Sequence, residues 1–383
     1  MHLPGKSRFP RARDVAYLDT AAEGLPLADS ATAMADYFRA KSMGTQGREC
    51  LYKLEREATS TAARMLGTSA ENVALPSSAS EAVNVLSHSI RWKAGDEVVT
   101  TDLEFPSNVL PWLALRERGV RLRVVRSDSG VLRFEQFASL IGPSTRLVIV
   151  SLVSYKTGTR IPFLPALGHE ARRAGAILCV DATQALGRIP VSVEGVDYLV
   201  ASNYKWLLGI HGLGVVYLSP YLCDRLSQET LGWYSVKEIF TPDRFEHFEF
   251  KPGAMRLMCG MPNFPAMYVL KESLQFLLGA GPAQVDQALR PLMERLRGGL
   301  EELGLNLLTP PEAEYGSGIV SFAHPLAQSI GAALEAMGVI VWAGDGRVRA
   351  SVHLYNDEGD IERCLSALKT ALSRLEVHAC TNP

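Results

Sequence analysis

Two short segments place a reactive side chain at the end of an apolar strand. Val180-Asp181-Ala182-Thr183-Gln184 brings a carboxylate and Ala201-Ser202-Asn203-Tyr204-Lys205-Trp206 an amine. In open α/β sheets ligands gather outside the carboxyl ends of the strands, so two such ends can serve one site. An ammonium closing a buried strand must be paired or covalently engaged, because otherwise an unpaired charge is desolvated. The carboxylate of Asp181 meets the same difficulty. Pyridoxal 5'-phosphate (PLP) would use both groups: the lysine as a Schiff base with its aldehyde, the aspartate to keep the pyridine nitrogen protonated so that the ring withdraws electrons. Taken singly, such an aspartate also reads as a helix cap or solvated turn and such a lysine as a surface charge.

The phosphate of that cofactor needs several donors, and a strand, polar turn and helix start supply them through free amides and the helix dipole. Leu75-Pro76-Ser77-Ser78-Ala79-Ser80-Glu81-Ala82 is such a segment, although a simple serine N-cap accounts for it equally. Gly209, Gly212 and Gly214 precede a strand, the wrong order for a dinucleotide-binding loop.

The elements that must hold these residues follow from apolar patterning. A helix is expected over about Ala31–Met43. Strands are expected near Val73–Leu75, Glu97–Thr100, Leu122–Val125, Leu147–Ser151, Ile177–Val180, Tyr198–Val200 and Gly214–Tyr217. Helices are expected near Glu81–Ser89, Val109–Arg118, Phe134–Leu140 and Leu164–Ala174. Alternating strands and helices, with strands apolar on both faces, indicate a doubly wound domain. Beyond it the pattern gives a long helix to about Leu303, a strand at Gly318–Phe322, a helix at Gln328–Met337, strands near Val339–Val341 and Val348–Val352, and a last helix over Glu358–Leu375. The expected division is an N-terminal segment 1–20, a large domain 21–275 and a smaller α+β domain 276–383.

With 383 residues the chain is long enough for two domains. Hydrophobic residues at 47% and charged residues at 21% describe a globular protein. The net charge of -2 argues against nucleic acid or anionic lipid as partner. No apolar run approaches the roughly 18–20 residues that span a bilayer, and Met1-His2-Leu3-Pro4 opens no signal peptide, so a cytoplasmic location is expected. The cysteines (Cys50, Cys179, Cys223, Cys259, Cys364, Cys380) form no CxxC pair and read as free thiols rather than disulfides or metal ligands.

In chain order the motifs SSASEA, LEFPSNVLPW, SYKTGTR, VDATQALG, ASNYKWLLGIHGLG and RVRASVHLYND resemble the class V aminotransferase family of fold-type I PLP enzymes, from about Tyr17 to Leu375. That family includes cysteine desulfurases, selenocysteine lyases, kynureninases, isopenicillin N epimerase-like proteins and carbon-sulfur lyases. The resemblance implies an α/β fold, with a large domain on a mostly parallel seven-stranded sheet and a smaller C-terminal α+β domain. It further implies PLP, a small amino-acid substrate and a homodimer with its sites at the subunit interface. Lys205 matches the Schiff-base lysine and proton carrier, Asp181 the partner of the ring nitrogen, and Gln184 the amide near the ring hydroxyl. Ser202, Tyr204, Ala79 and Ser80 match phosphate positions, and Arg349 the arginine that forks onto the substrate carboxylate. Phe105 and Tyr155 border the cofactor on this reading, and Asn108 and His353 the substrate.

Departures from the family pattern bear on the reaction. Phe105 stands where cysteine desulfurases carry a ring-stacking histidine, and Phe cannot move a proton. The interval Trp342–Arg347, where desulfurases need a nucleophilic cysteine, has none. Tyr155 replaces an asparagine and reads as either a phenol acid or packing. Tyr204 replaces a histidine, and Met261 a hydroxyl residue that in relatives reaches the neighbouring subunit's phosphate. Trp112 reads as core and His169 as structural, while Arg256 could bind an anion or close a salt bridge. The expected reaction is β-elimination with carbon-sulfur cleavage of a cysteine-derived amino acid. Aminotransferase, epimerase and kynureninase-like hydrolase activities, and a noncatalytic PLP-binding protein, are the alternatives.

Overall fold

The computed structural model describes residues 5–381, with side chains through residue 375; the Met1–Pro4 opening and the Cys380 side chain lie outside the described residues. The chain begins with a short strand, β1 (Ala16–Tyr17), and two helices, α1 (Ser30–Ser42) and α2 (Arg48–Leu66). An alternating run follows: β2 (Val73–Ala74), α3 (Ala79–Ser87), β3 (Glu97–Thr101), α4 (Leu110–Leu113), β4 (Arg121–Val125), α5 (Phe134–Ala138), β5 (Thr145–Ser151), α6 (Leu164–Arg173) and β6 (Ile177–Asp181). β7 (Tyr198–Ser202), β8 (Gly214–Leu218), α7 (Pro220–Cys223) and α8 (Phe264–Ala280) complete the large domain's elements. The smaller C-terminal part holds α9 (Pro282–Glu302), β9 (Asn306–Leu307), β10 (Ile319–Ala323), α10 (Ala327–Ala336), β11 (Val339–Ile340), β12 (Trp342–Gly344), β13 (Arg347–Ser351) and α11 (Glu358–Thr381).

The large sheet has seven strands in the order β2-β8-β7-β6-β5-β3-β4. β4, β3, β5, β6 and β7 run parallel, and β8 is antiparallel to both neighbours. Alternate residues of each strand enter different cores. Val148, Val150, Leu178, Val180 and Leu199 face one, and Leu147, Ile149, Cys179, Tyr198 and Val200 the other. Covering of both faces is what makes these strands apolar throughout. Pairing of Ser151 with Asp181, and of Asp181 with Val200, brings the carboxyl ends of β5, β6 and β7 to one level.

The second sheet is antiparallel, β12-β13-β10-β9. The expected strand near Val339 joins neither large sheet: β11 pairs in parallel with β1, and Asp19 bridges to Ser351. The N-terminal segment is thereby stitched to the small domain. Between Val109 and Arg118 the single expected helix divides into α4 and a 3-10 turn, Ala114–Arg118, which ends on Gly119 at φ +80°. No helix among the described residues is long and apolar enough to cross a membrane. No group of His, Cys, Asp and Glu that could hold a metal ion occurs among them either.

Candidate active site

A pocket opens at the carboxyl ends of β5, β6 and β7, lined by Ala79, Ser80, Phe105, Asn108, Asp181 and Lys205 with Ser151, Tyr155, Thr183, Gln184, Ser202 and Tyr204 among their neighbours. Asp181 closes β6 with 8% of its surface exposed. Its Oδ1 accepts the amide of Thr183 at 2.8 Å and its Oδ2 the Asn108 Nδ2 at 3.1 Å. Asn108 is fully buried, and its Oδ1 has no hydrogen-bond partner among the described residues.

Lys205 follows β7 by three residues. Its backbone oxygen accepts from Leu208, and the Tyr204 oxygen from the amide of Gly24 at 2.8 Å. A Cβ on Gly24 would stand 1.9 Å from the Lys205 oxygen, so this crossing requires glycine. The Lys205 Nζ lies 5.5 Å from the ring centroids of both Phe105 and Tyr204. Burial pulls its pKa down to about 8 against the opposing attraction of Asp181, Glu23 and Asp19. Such an amine releases its proton far more readily than a surface lysine, as a nucleophile or base requires.

At the far side the N-terminus of α3 is capped by the Ser78 Oγ, which accepts from Glu81 at 3.0 Å. Ser80 Oγ and Ser107 Oγ lie 2.8 Å apart beside it. Gly214 permits close approach here too, since an added Cβ would stand 2.8 Å from the Ala79 amide nitrogen. Ser202, which ends β7 and donates its amide to Thr183 Oγ1, and Tyr204 just beyond it line the same pocket. Amine, carboxylate and a helix N-terminus thus match the aldehyde, ring nitrogen and phosphate of PLP. The partnerless Asn108 Oδ1 leaves polar capacity for such a group.

Gln184 lines the pocket with its amide engaged at both ends: Nε2 donates to Ala21 O at 2.9 Å and Oε1 accepts from Trp206 Nε1 at 2.6 Å. Phe105 and Tyr155 meet edge to face at 5.2 Å. Arg349 on β13 sits behind Tyr155, donating Nη1 to its backbone oxygen at 2.9 Å while Nη2 lies 3.5 Å from Asp19 Oδ1. Its buried Nε has no hydrogen-bond partner among the described residues. Burial lowers the Arg349 pKa, against Asp19.

His353 does not reach the pocket. It is fully buried, packs edge on against Trp206 at 5.4 Å, and its Nε2 contacts the Trp206 oxygen at 3.1 Å. Burial and the nearby Arg188 push its pKa down to about 3, so the ring is a neutral core residue. It lies four residues past Arg349, beyond the end of β13, against Trp206 of the lysine loop. Trp112 is core, as expected, and His169 is exposed. Among the described residues Arg256 closes no salt bridge: it donates to the Cys223 backbone oxygen and to Gln228 and lies over Phe250.

Asp19, Glu104 and Thr183 join this constellation without having been singled out in the sequence. Asp19 ends an apolar run and Glu104 stands between hydrophobic residues, a position where a carboxylate must find buried partners.

A family model described as aminotransferase class-V matches residues 16–364. The chain belongs to the class V aminotransferase family. Its members are PLP-dependent, and this chain is a PLP enzyme related to cysteine desulfurases. A probable cysteine desulfurase of Methanothermobacter thermautotrophicus is 29% identical, over 92% of this chain and 94% of its own. The apo structure of a cysteine desulfurase from Thermococcus onnurineus NA1 superposes with a TM-score of 0.88 at 25% identity, covering 97% of this chain and 98% of that one. A cystine C-S lyase, solved with its reaction product cysteine persulfide, shares the fold with a TM-score of 0.85 at 23% identity, over 94% and 98% of the two chains.

Proposed function

We propose that this class V enzyme cleaves the carbon-sulfur bond of a cysteine-derived amino acid or S-conjugate by β-elimination, as a homodimer. The observation that carries the reading is the hairpin segment Trp342–Arg347, which runs from β12 into the Arg349 strand and holds no thiol able to take sulfur. Phe105 beside the lysine supports it, because it adds a wall and no second proton donor.

PLP, when bound, supplies the electron sink that makes the substrate α-proton acidic. The chain's residues do the rest. Asp181, fixed by Thr183 and Asn108, holds the proton on the ring nitrogen. The start of α3 with Ser80, Ser202 and Tyr204 holds the phosphate, and Phe105 and Tyr155 border the ring. Arg349 receives the substrate carboxylate on the donors that Asp19 engages only loosely. Lys205, its proton affinity reduced by burial, takes the α-proton. Loss of the β-sulfur as thiol and uptake of one water leave pyruvate and ammonia, so the substrate divides without any change of redox state.

The test is product analysis with cysteine and cysteine S-conjugates. Free thiol or sulfide with stoichiometric pyruvate supports elimination; absence of both rejects it. The desulfurase relatives favour a second reading, in which an enzyme thiol takes the sulfur and alanine is the product. Alanine formation that is abolished by alkylating the exposed Cys50 and the partly exposed Cys223 and Cys259 would establish that reading instead. Transamination would convert the bound cofactor to its amine form in a single half-reaction.

A further inference from the structure

Behind Asp181 lies a second buried carboxylate. Glu104, 9% exposed, follows β3 and meets only donors. Its Oε1 accepts the Ser151 amide at 2.8 Å and the Thr101 hydroxyl at 3.1 Å. Its Oε2 accepts the Ser151 hydroxyl at 2.6 Å and the Asn108 Nδ2 at 2.8 Å. The same Nδ2 reaches Asp181 Oδ2 at 3.1 Å. One amide nitrogen with two protons therefore joins two carboxylates, and turning the Asn108 amide over would aim its oxygen at both. The chain runs from the residues after β3 through the fully buried Asn108 to the end of β6.

We propose that Glu104 is a positioning residue for the cofactor: through Asn108 it locks the Asp181 carboxylate in the orientation that meets the ring nitrogen, and its negative charge strengthens Asp181's hold on the proton there. Buried charges are felt strongly where water does not screen them. Burial raises the Glu104 carboxyl, and the hydrogen bonds from Ser151 and Asn108 oppose that rise. What the carboxylate adds is a direction for the Asn108 amide and a potential at Asp181. The other titratable groups facing this pair are Lys205, Tyr204 and Cys179. Asp181 attracts the Lys205 ammonium, against the burial that lowers its pKa. Tyr204 and Cys179 are held neutral, since burial raises both. The inference rests on the reading that Asp181 meets the ring nitrogen, and is independent of which bond of the substrate is broken.

The test is a pH titration of the visible absorption of the purified holoenzyme, with cofactor affinity measured by dialysis, for wild type, Glu104→Gln, Asn108→Ala, the double variant and Asp181→Asn. Glu104→Gln keeps the shape and removes the charge. It is expected to move the spectral midpoint by about one pH unit and to weaken PLP binding about tenfold. Asn108→Ala is expected to move it in the same sense, and the double variant no further than the larger single change. If Asp181→Asn moves the midpoint while Glu104→Gln and Asn108→Ala titrate like wild type, the inference is overturned, even if their melting temperatures fall. A shift in Glu104→Gln alone overturns the relay through Asn108. If Asp181→Asn also titrates like wild type, the assignment of Asp181 itself fails. Should Glu104→Gln not fold, Asn108→Ala decides.

Discussion

Asp19 offers a quantitative test of how the pocket is balanced. Its side chain is 16% exposed and 3.5 Å from Arg349, and its carboxyl is pushed up to about 6 because burial outweighs the attraction of Arg349 and Lys205. In the unfolded chain an aspartate titrates near 3.9. Between about pH 4 and 6 the folded protein thus keeps a proton that the unfolded chain has released, and stability falls as pH rises through that window. Two pH units at about 1.4 kcal/mol each give a loss of about 3 kcal/mol. Asp19→Asn has the same size and cannot titrate. Urea unfolding of both proteins from about pH 4 to 7.5 should show wild type losing about 3 kcal/mol relative to the variant, with the change confined to that window. The raised carboxyls of Glu55 and Glu104 are common to both proteins and drop out of the difference. Parallel stability curves would refute the reasoning, and with it the view that burial dominates at this carboxylate. The same substitution removes the anion that competes for Arg349, so the KM for an amino acid at neutral pH should fall.

Three further outcomes are expected. In the protein stripped of cofactor, Lys205, with its pKa lowered to about 8, should react with cyanate in a pH-dependent way centred there, roughly 100-fold ahead of surface lysines at neutral pH; peptide mass spectrometry reads the sites. Arg349→Lys keeps the charge and loses the fork, so kcat/KM for an amino acid should fall roughly 10–100-fold with the cofactor spectrum unchanged, as steady-state kinetics and absorbance will show. Gly24→Ala places a Cβ 1.9 Å from the Lys205 oxygen, and should cost about 1–3 kcal/mol of stability in denaturant melts and weaken cofactor retention.

What could be read from the sequence follows the range of the forces involved. The strands of the large sheet are local runs of apolar residues, and all seven lie within a residue or two of their expected places. Asp181 was legible because it closes an apolar strand, and Lys205 because it follows one by three residues. The helix α2 escaped notice because its buried positions include Ala58, Thr59, Thr61, Ala62 and Ala63, small residues on several faces that blur the stripe. In α8, Ala266, Met267, Val269, Leu270, Leu274 and Leu277 are all buried, and packing against both α1 and α2 leaves little polar face to mark its period. The misplacement of His353 has a different origin. Alternation along β13 is regular only to Ser351, and the turn beyond it, with the His353 amide bonded to Asn356, sends the ring inward. The meeting of Asp19 with Arg349, and of Glu104 with Ser151, joins residues far apart in the chain, which no local pattern encodes.

The stitching of β1 to the small domain bears on how the protein is made. Ala16 and Leu18 donate their amides to Gly338 and Ile340, and Ser351 donates both its amide and its hydroxyl to the Leu18 oxygen, 333 residues away. On a ribosome adding roughly 5–20 residues per second, residues 16–24 wait for tens of seconds before these partners emerge. The large sheet can form in that interval, but the strand leading into the lysine's glycine contact stays unpaired until β11 has been synthesised, and the Leu18 oxygen until β13 has. Assembly of the substrate side of the pocket is in this way reserved for full-length chains, and a product interrupted before Arg349 carries the lysine without the means to hold a substrate against it.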